Sequence, residues 1–330
     1  MISRPFALAV AVAAAAGAAR AQTAASLAAA ARYSAEREGD AVLVFRHDSL
    51  VLEDYQNGFD GAAPHPLASG TKTFSCVLAA LAAGDGLIRL DQPLARDLPE
   101  FRGDSLRRRV SLRQLLSLTS GLQPDFTART ADYGAALALP MVAPPGSRFA
   151  YGAAPFHVFA ELMRRKLGGD PVEYLRRRAL RPLGITVAFW VRDTAGRPHL
   201  AGGAMMTGRD WGVFGLLLLH QGSWHGRQVV PAAGLAECRR GSAANAGYGL
   251  GLWLNAPTPT GPAPAGVLRA GPEDRRLAAP ELPADLYLAA GAAGQRLYVL
   301  PTPGLVIVRL GHNTGPEFKD DAFLRLALGR

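Results

Sequence analysis

Apolar positions along this chain fall into two periods, one near 3.6 residues and one of strict alternation or short unbroken runs. Ala24 to Ala35 predicts an alanine-rich helix. Ala41–His47 (AVLVFRH) and Ser49–Tyr55 predict paired strands around a polar turn at His47-Asp48. Pro64 and Pro66 mark a loop, and Ser69 opens a helix that ends near Gly84-Asp85-Gly86. Leu87–Leu98 predicts a short element followed by an irregular, proline-containing segment. Val110, Leu112, Leu115 and Leu116 form the apolar stripe of a helix over Val110–Leu118, with Ser111 as its cap. Further helices are predicted over Pro155–Leu167, with proline in the first turn, over Pro171–Leu180 and over Trp211–His220. Strand-like runs follow at Tyr248–Leu254, Tyr287–Ala290, Gln295–Leu300 and Leu305–Leu310. Phe318–Leu328 closes the chain as an amphipathic helix.

Strands at both ends with helices between them predict an α+β fold. The terminal segments build one antiparallel sheet flanked by helices, and residues from about 70 to 200 form an inserted helical region. The proline-dense stretch Ala256–Pro283 is expected to be a long loop beside that sheet.

Composition supports a folded chain: of 330 residues, 49% are hydrophobic and 19% charged, enough apolar material for a sizeable core. The N-terminus has the pattern of a secretory signal, with Arg4, an apolar run from Phe6 to Ala18 and an A-x-A site at Ala19-Arg20-Ala21. It predicts a signal peptide over 1–21, a mature domain over 22–330 and a periplasmic or secreted protein. No later segment is long and apolar enough to span a bilayer, so stable membrane insertion is not expected. The formal charge is +9, but arginine clusters such as Arg107-Arg108-Arg109 lack interleaved aromatics, which argues for solvated faces and against nucleic acid. Weak, salt-dependent association with anionic envelope polymers is compatible with that charge. Cys76 lies on the apolar side of its helix, which favours a buried free thiol over a bridge to Cys238. Metal-ligand spacings are missing among the cysteines and histidines, so no metal or other cofactor is expected.

Lysine is rare here: only Lys72, Lys166 and Lys319 occur. Arginine stays charged, whereas a buried lysine can be driven neutral and exchange protons. Lys72 follows Ser69 by three residues, one helical turn away on the same face, so its amine reaches the hydroxyl. That pairing activates a serine without a histidine. A helix N-terminus also favours a developing negative charge.

Ser69-Gly-Thr-Lys72, Asp85-Gly-Leu-Ile-Arg-Leu-Asp-Gln-Pro93 and Leu115-Leu-Ser-Leu-Thr-Ser-Gly-Leu122 together resemble the serine β-lactamase-related family. That family includes class C β-lactamases, DD-peptidases, carboxylesterases and 6-aminohexanoate-dimer hydrolases. Pro145-Gly-Ser-Arg-Phe-Ala-Tyr151 resembles the approach to its catalytic tyrosine, and Gly291-Ala-Ala-Gly-Gln295 with Arg-Leu-Tyr-Val-Leu-Pro301 resembles its edge strand. The likeness runs from about Val42 to Leu328. It implies a β-lactamase/transpeptidase-like fold and a small-molecule ester or amide substrate. By the same resemblance Ser69 is the nucleophile, Lys72 its proton acceptor, and Tyr151 the group that passes the proton to the leaving group. The backbone amides of Ser69 and Ala292 form the oxyanion hole, and Ala153, Gly291 and Ala293 border the substrate.

Two departures from the family pattern stand out. Where an asparagine or serine commonly follows the tyrosine by two, this chain has Ala153. Where β-lactamases and DD-peptidases carry lysine, threonine or serine, then glycine, this chain has Ala289, Ala290 and Gly291. Loss of a charge-assisted contact of about 1.5–3 kcal/mol argues against tight recognition of carboxylate-bearing substrates and for a neutral acyl group. Three functions stay open at this point: an esterase-like hydrolase, a DD-carboxypeptidase or β-lactamase, and an inactive relative that binds envelope material. Ser120 is read as a turn residue, His157 as a core or rim residue, and the four tryptophans as packing, with Trp190 or Trp253 as candidate pocket walls.

Overall fold

The computed structural model describes residues 24–125, 132–256, 279–312 and 317–330. Helix α1 covers 24–35, and β1 (Gly39–Arg46) and β2 (Ser49–Tyr55) form a hairpin. Both residues of its turn, His47 and Asp48, have positive φ, the type I′ geometry that suits twisted strands. The short strand β3 (His65–Pro66) leads into a 3-10 turn, Ala68–Lys72, and then α2 (Thr73–Gly84). Helices α3 (Leu112–Leu116), α4 (Tyr133–Ala138), α5 (Ala154–Leu167) and α6 (Pro171–Leu175) fill the middle of the chain. Strands β4 (Val187–Trp190) and β5 (Ala204–Met206) join β3 in a small sheet of order β3-β5-β4. After α7 (Gly208–Leu219) come the hairpin β6 (Ser223–Trp224) and β7 (Arg227–Gln228), then α8 (Ala232–Cys238) and β8 (Trp253–Leu254). The chain ends with β9 (Tyr287–Gly291), β10 (Gln295–Leu300), β11 (Leu305–Gly311) and α9 (Asp320–Leu328).

The large sheet has the order β2-β1-β11-β10-β9-β8 and is antiparallel throughout. Val44 sits opposite Ile307 and Leu43 opposite Val308, so the two chain ends meet at its centre. Both faces of that centre are covered: every residue of β10 and β11 is buried, and their apolar runs Leu297–Leu300 and Leu305–Val308 do not alternate with polar positions. Helix α7 lies on one face. A Cβ on Gly212 would meet the Phe45 ring at 2.1 Å, and one on Gly215 would meet Val306 at 2.5 Å, so these small residues set the close approach. The other face carries α1 and α9, which touch where the Ser26 hydroxyl donates to the Ala327 carbonyl. This is the expected α+β architecture, an antiparallel sheet built from both chain ends and flanked by helices, with further helices inserted between its halves.

Four details differ from expectation. Cys76 and Cys238 form a disulfide, tying α2 to α8. The inner face of α2 is apolar, but the short helix α8 packs against that face and brings the second sulfur to it, so the buried cysteine is bridged and not a free thiol. The predicted strand Tyr248–Leu254 is mostly a tight turn: only Trp253 and Leu254 pair with β9, while Tyr248 bridges back to Trp253. Gly251, at φ +84, makes that reversal. The helix predicted over Val110–Leu118 contracts to α3, where Ser111 and Gln114 form a reciprocal capping box. The Pro171–Leu180 helix ends its α-geometry at Leu175 and widens into a π-turn over Arg176–Leu180. The signal segment and most of the proline-dense loop lie outside the described residues.

Candidate active site

Ser69 sits in the 3-10 turn Ala68–Lys72, not at the cap of a continuous α-helix. Ala68 just before it has φ +46, a left-handed conformation costing about 1–2 kcal/mol for a residue with a Cβ. The turn is held by the Gly70 amide, which donates to the Leu67 carbonyl at 2.9 Å, and by α2, whose body is buried. Its rigid geometry leaves the Ser69 side chain half-buried at the start of the helix.

Lys72 is 3% exposed, and its amine donates to Ser69 Oγ at 3.0 Å and to the Ala201 carbonyl at 2.8 Å. The amine also lies 4.9 Å from the centre of the Tyr151 ring and 5.5 Å from that of Phe156. Ala201 belongs to a tight turn organised by the His199 carbonyl, which accepts from Trp190 Nε1 and from the Gly203 amide. Sequence reasoning missed Ala201, because a backbone acceptor carries no residue-type signal.

Tyr151 is half-buried and stacks on Trp253 at 5.7 Å with planes 22° apart; Tyr248 stands edge-on to it at 6.2 Å. Phe149 completes this aromatic group through Tyr248 and Trp253. The rings fix the plane of Tyr151 against a packed wall, so Trp253 is a wall residue beside the site and Trp190 lies deeper, against Phe74. Ala153 caps α5, its amide donating to the Asp125 carbonyl at 3.0 Å, and its methyl group supplies no polar contact to Lys72.

The end of β9, which runs past its pairing with β8 and forms the local edge of the sheet there, reaches the same place. A Cβ on Gly291 would fall 2.2 Å from the Leu67 carbonyl and 3.1 Å from the Gly70 nitrogen, so the end of β9 passes against the turn that carries Ser69. Ala292 is exposed, and Ala293 turns the chain back at φ +59 into β10. Ser69, Lys72, Tyr151, Gly291 and Ala292 therefore converge from three separate segments. Ser120 is a turn residue, as expected, its hydroxyl accepting from the Leu122 amide.

His157 is core-facing at 2% exposure, 4.7 Å edge-on from His199. Burial first, then the neighbouring His199 and the Lys72 amine, push its imidazolium down to about 3, so it stays neutral near pH 7.

A buried lysine amine hydrogen-bonded to a serine oxygen on an antiparallel α+β scaffold points to a class, proteins of the β-lactamase fold. The Beta-lactamase family model matches residues 21–330, and the chain belongs to that family. A D-aminopeptidase of Brucella anthropi is 30% identical over 181 residues, 48% of this chain and 34% of the relative. The chain thus spans about a third of the length of the curated relatives it matches. Solved structures share the fold. A penicillin-binding protein homologue from Caulobacter crescentus matches at TM-score 0.70 with 18% identity, covering 93% of this chain and 96% of that one. EstCE1, a hydrolase with promiscuous acyltransferase activity, matches at TM-score 0.69 with 18% identity, covering 93% and 97%.

Proposed function

We propose that this protein is an exported serine hydrolase that cleaves a small ester or amide through an acyl-enzyme on Ser69. The observation that carries this is the 3.0 Å contact between the buried Lys72 amine and Ser69 Oγ, beneath the face of Tyr151. As Oγ attacks the substrate carbonyl carbon, the neutral Lys72 amine takes its proton. The carbonyl oxygen becomes an oxyanion, held by the amides of Ser69 and Ala292. On collapse, the carbon–heteroatom bond breaks and the leaving group takes a proton through Tyr151. Water then attacks the acyl carbon, gives up a proton to the same pair, and releases the acid and Ser69.

Ala201 supports this assignment by supplying the Lys72 amine with a polar contact, while Ala153 supplies none. Along the approach to Ser69, Ala289, Ala290 and Gly291 offer no side-chain donor, which fits a neutral acyl group better than a carboxylate. Burial of the Cys76–Cys238 bridge in the core supports an oxidising destination and so export.

Turnover of a chromogenic short-chain ester by the mature chain tests the proposal. Ser69→Ala is expected to abolish it, together with labelling by a fluorophosphonate. Lys72→Arg, whose guanidinium stays protonated and so cannot accept the serine proton, is expected to lower kcat about 10²–10⁴-fold. Labelling by a fluorescent penicillin without ester turnover would replace the esterase assignment with a β-lactam or cell-wall peptide substrate. Failure of Ser69 to label in the folded protein would leave a non-catalytic relative.

A further inference from the structure

Beneath the end of the edge strand lies a buried ion pair that the reaction above does not use. Arg296 on β10 and Asp320 at the start of α9 are 4% and 9% exposed. Arg296 Nε donates to Asp320 Oδ1 at 2.7 Å and Nη2 to Oδ2 at 3.3 Å, a two-pronged pairing that fixes the guanidinium plane. The Tyr298 hydroxyl donates to the same carboxylate. With its guanidinium held in that way, Arg296 directs Nη1 at two carbonyls, Gly291 O at 2.8 Å and Gln295 O at 2.9 Å.

Gly291 C=O and Ala292 N–H belong to one peptide unit. In a trans peptide the two point in opposite directions. A guanidinium on the carbonyl therefore aims the Ala292 N–H away from β10, toward the free side of the strand, where Gly291 lies against the Ser69 turn. A charged donor on the oxygen also polarises the peptide and strengthens its N–H as a donor. We infer that Arg296, clamped by Asp320, is a positioning residue that orients and polarises the Gly291–Ala292 peptide for the oxyanion. This rests on the hydrolase assignment above, in which the Ala292 amide binds that oxyanion.

The pair also closes the tight turn between β9 and β10, so its test must separate orientation from stability. Full-length mature Arg296→Met, Arg296→Lys and Asp320→Asn proteins are compared with wild type for thermal midpoint, kcat, KM and inhibition by an alkylboronic acid, which forms a tetrahedral adduct on serine. Removing one oxyanion donor outright costs about 10²–10³-fold in kcat. Misaiming it in Arg296→Met is expected to cost about 10–30-fold in kcat, with KM within about twofold and boronic acid affinity weakened by the same factor as kcat. Arg296→Lys, which keeps a charged donor, and Asp320→Asn, which keeps the shape, are expected to lose about 3–10-fold and serve as the test should Arg296→Met not fold.

A loss that follows the unfolded fraction, disappears on cooling the assay and leaves boronic acid affinity unchanged would overturn the inference and leave Arg296 as a turn anchor. Wild-type turnover with unaltered variants would overturn it alone. A wild type that neither turns over ester nor labels at Ser69 would overturn the hydrolase assignment, and this inference with it.

Discussion

Gly291→Ala isolates the contact between the end of β9 and the turn that carries Ser69. Gly291 has φ −123 and ψ 161, which alanine adopts without strain, so any effect is steric. The added methyl would lie 2.2 Å from the Leu67 carbonyl oxygen, against a comfortable carbon–oxygen separation of about 3.3 Å. Either β9 or the turn must therefore move by about 1 Å. The Leu67 oxygen cannot yield freely, because it accepts the Gly70 amide at 2.9 Å and so holds the turn around Ser69. A displacement of that size at a reacting centre costs about 10²-fold in rate, and overpacking costs about 1–3 kcal/mol of stability. Ester kinetics and urea unfolding on the same preparations read both quantities. Gly86→Ala is the control: it sits at φ +72 in open space, so it should lose about 1–2 kcal/mol of stability with kcat/KM unchanged. The reasoning fails if Gly291→Ala keeps kcat/KM within threefold of wild type, or if Gly86→Ala loses as much activity.

The Cys76→Ala/Cys238→Ala double variant opens a bridge spanning 162 residues of sequence, and it should lose about 2–5 kcal/mol while keeping kcat at 25 °C. An unchanged urea midpoint, or free thiols found by alkylation of the unreduced wild type, would contradict this. His157 gives a pH prediction whose sign follows from its folded-state value of about 3 against an unfolded value of about 6.5. Above pH 6.5 both states are neutral; as pH falls toward 3 only the unfolded state binds the proton, and stability drops by up to about 5 kcal/mol. Since Nε2 has no hydrogen-bond partner among the described residues, His157→Phe should be within about 1 kcal/mol of wild type at pH 7 and lose less stability at pH 4. Equal acid sensitivity of the two proteins in urea titrations would refute it.

Local chemistry made much of this protein legible in its amino-acid order. The hairpin of β1 and β2, the cap at Ser111 and the extents of α5 and β10 follow from periodicity and turn residues, which act over a few positions. The contact between Ser69 and Lys72 is legible for the same reason: one helical turn sets their separation, and lysine is scarce in this chain. Tyr151 and the edge strand were identified by likeness to a family, since their place opposite Ser69 depends on how distant segments pack.

What only the tertiary structure decided is the set of contacts made by groups without a distinctive residue type. The Ala201 carbonyl meets Lys72 across 129 positions, Arg296 reaches the Gly291 carbonyl around a turn, and α8 carries Cys238 to the inner face of α2. Backbone carbonyls and small residues look alike in every sequence, and a disulfide partner is fixed by which helix faces meet. Periodicity determines which side of each element is buried; the close packing of those sides in three dimensions determines what they touch.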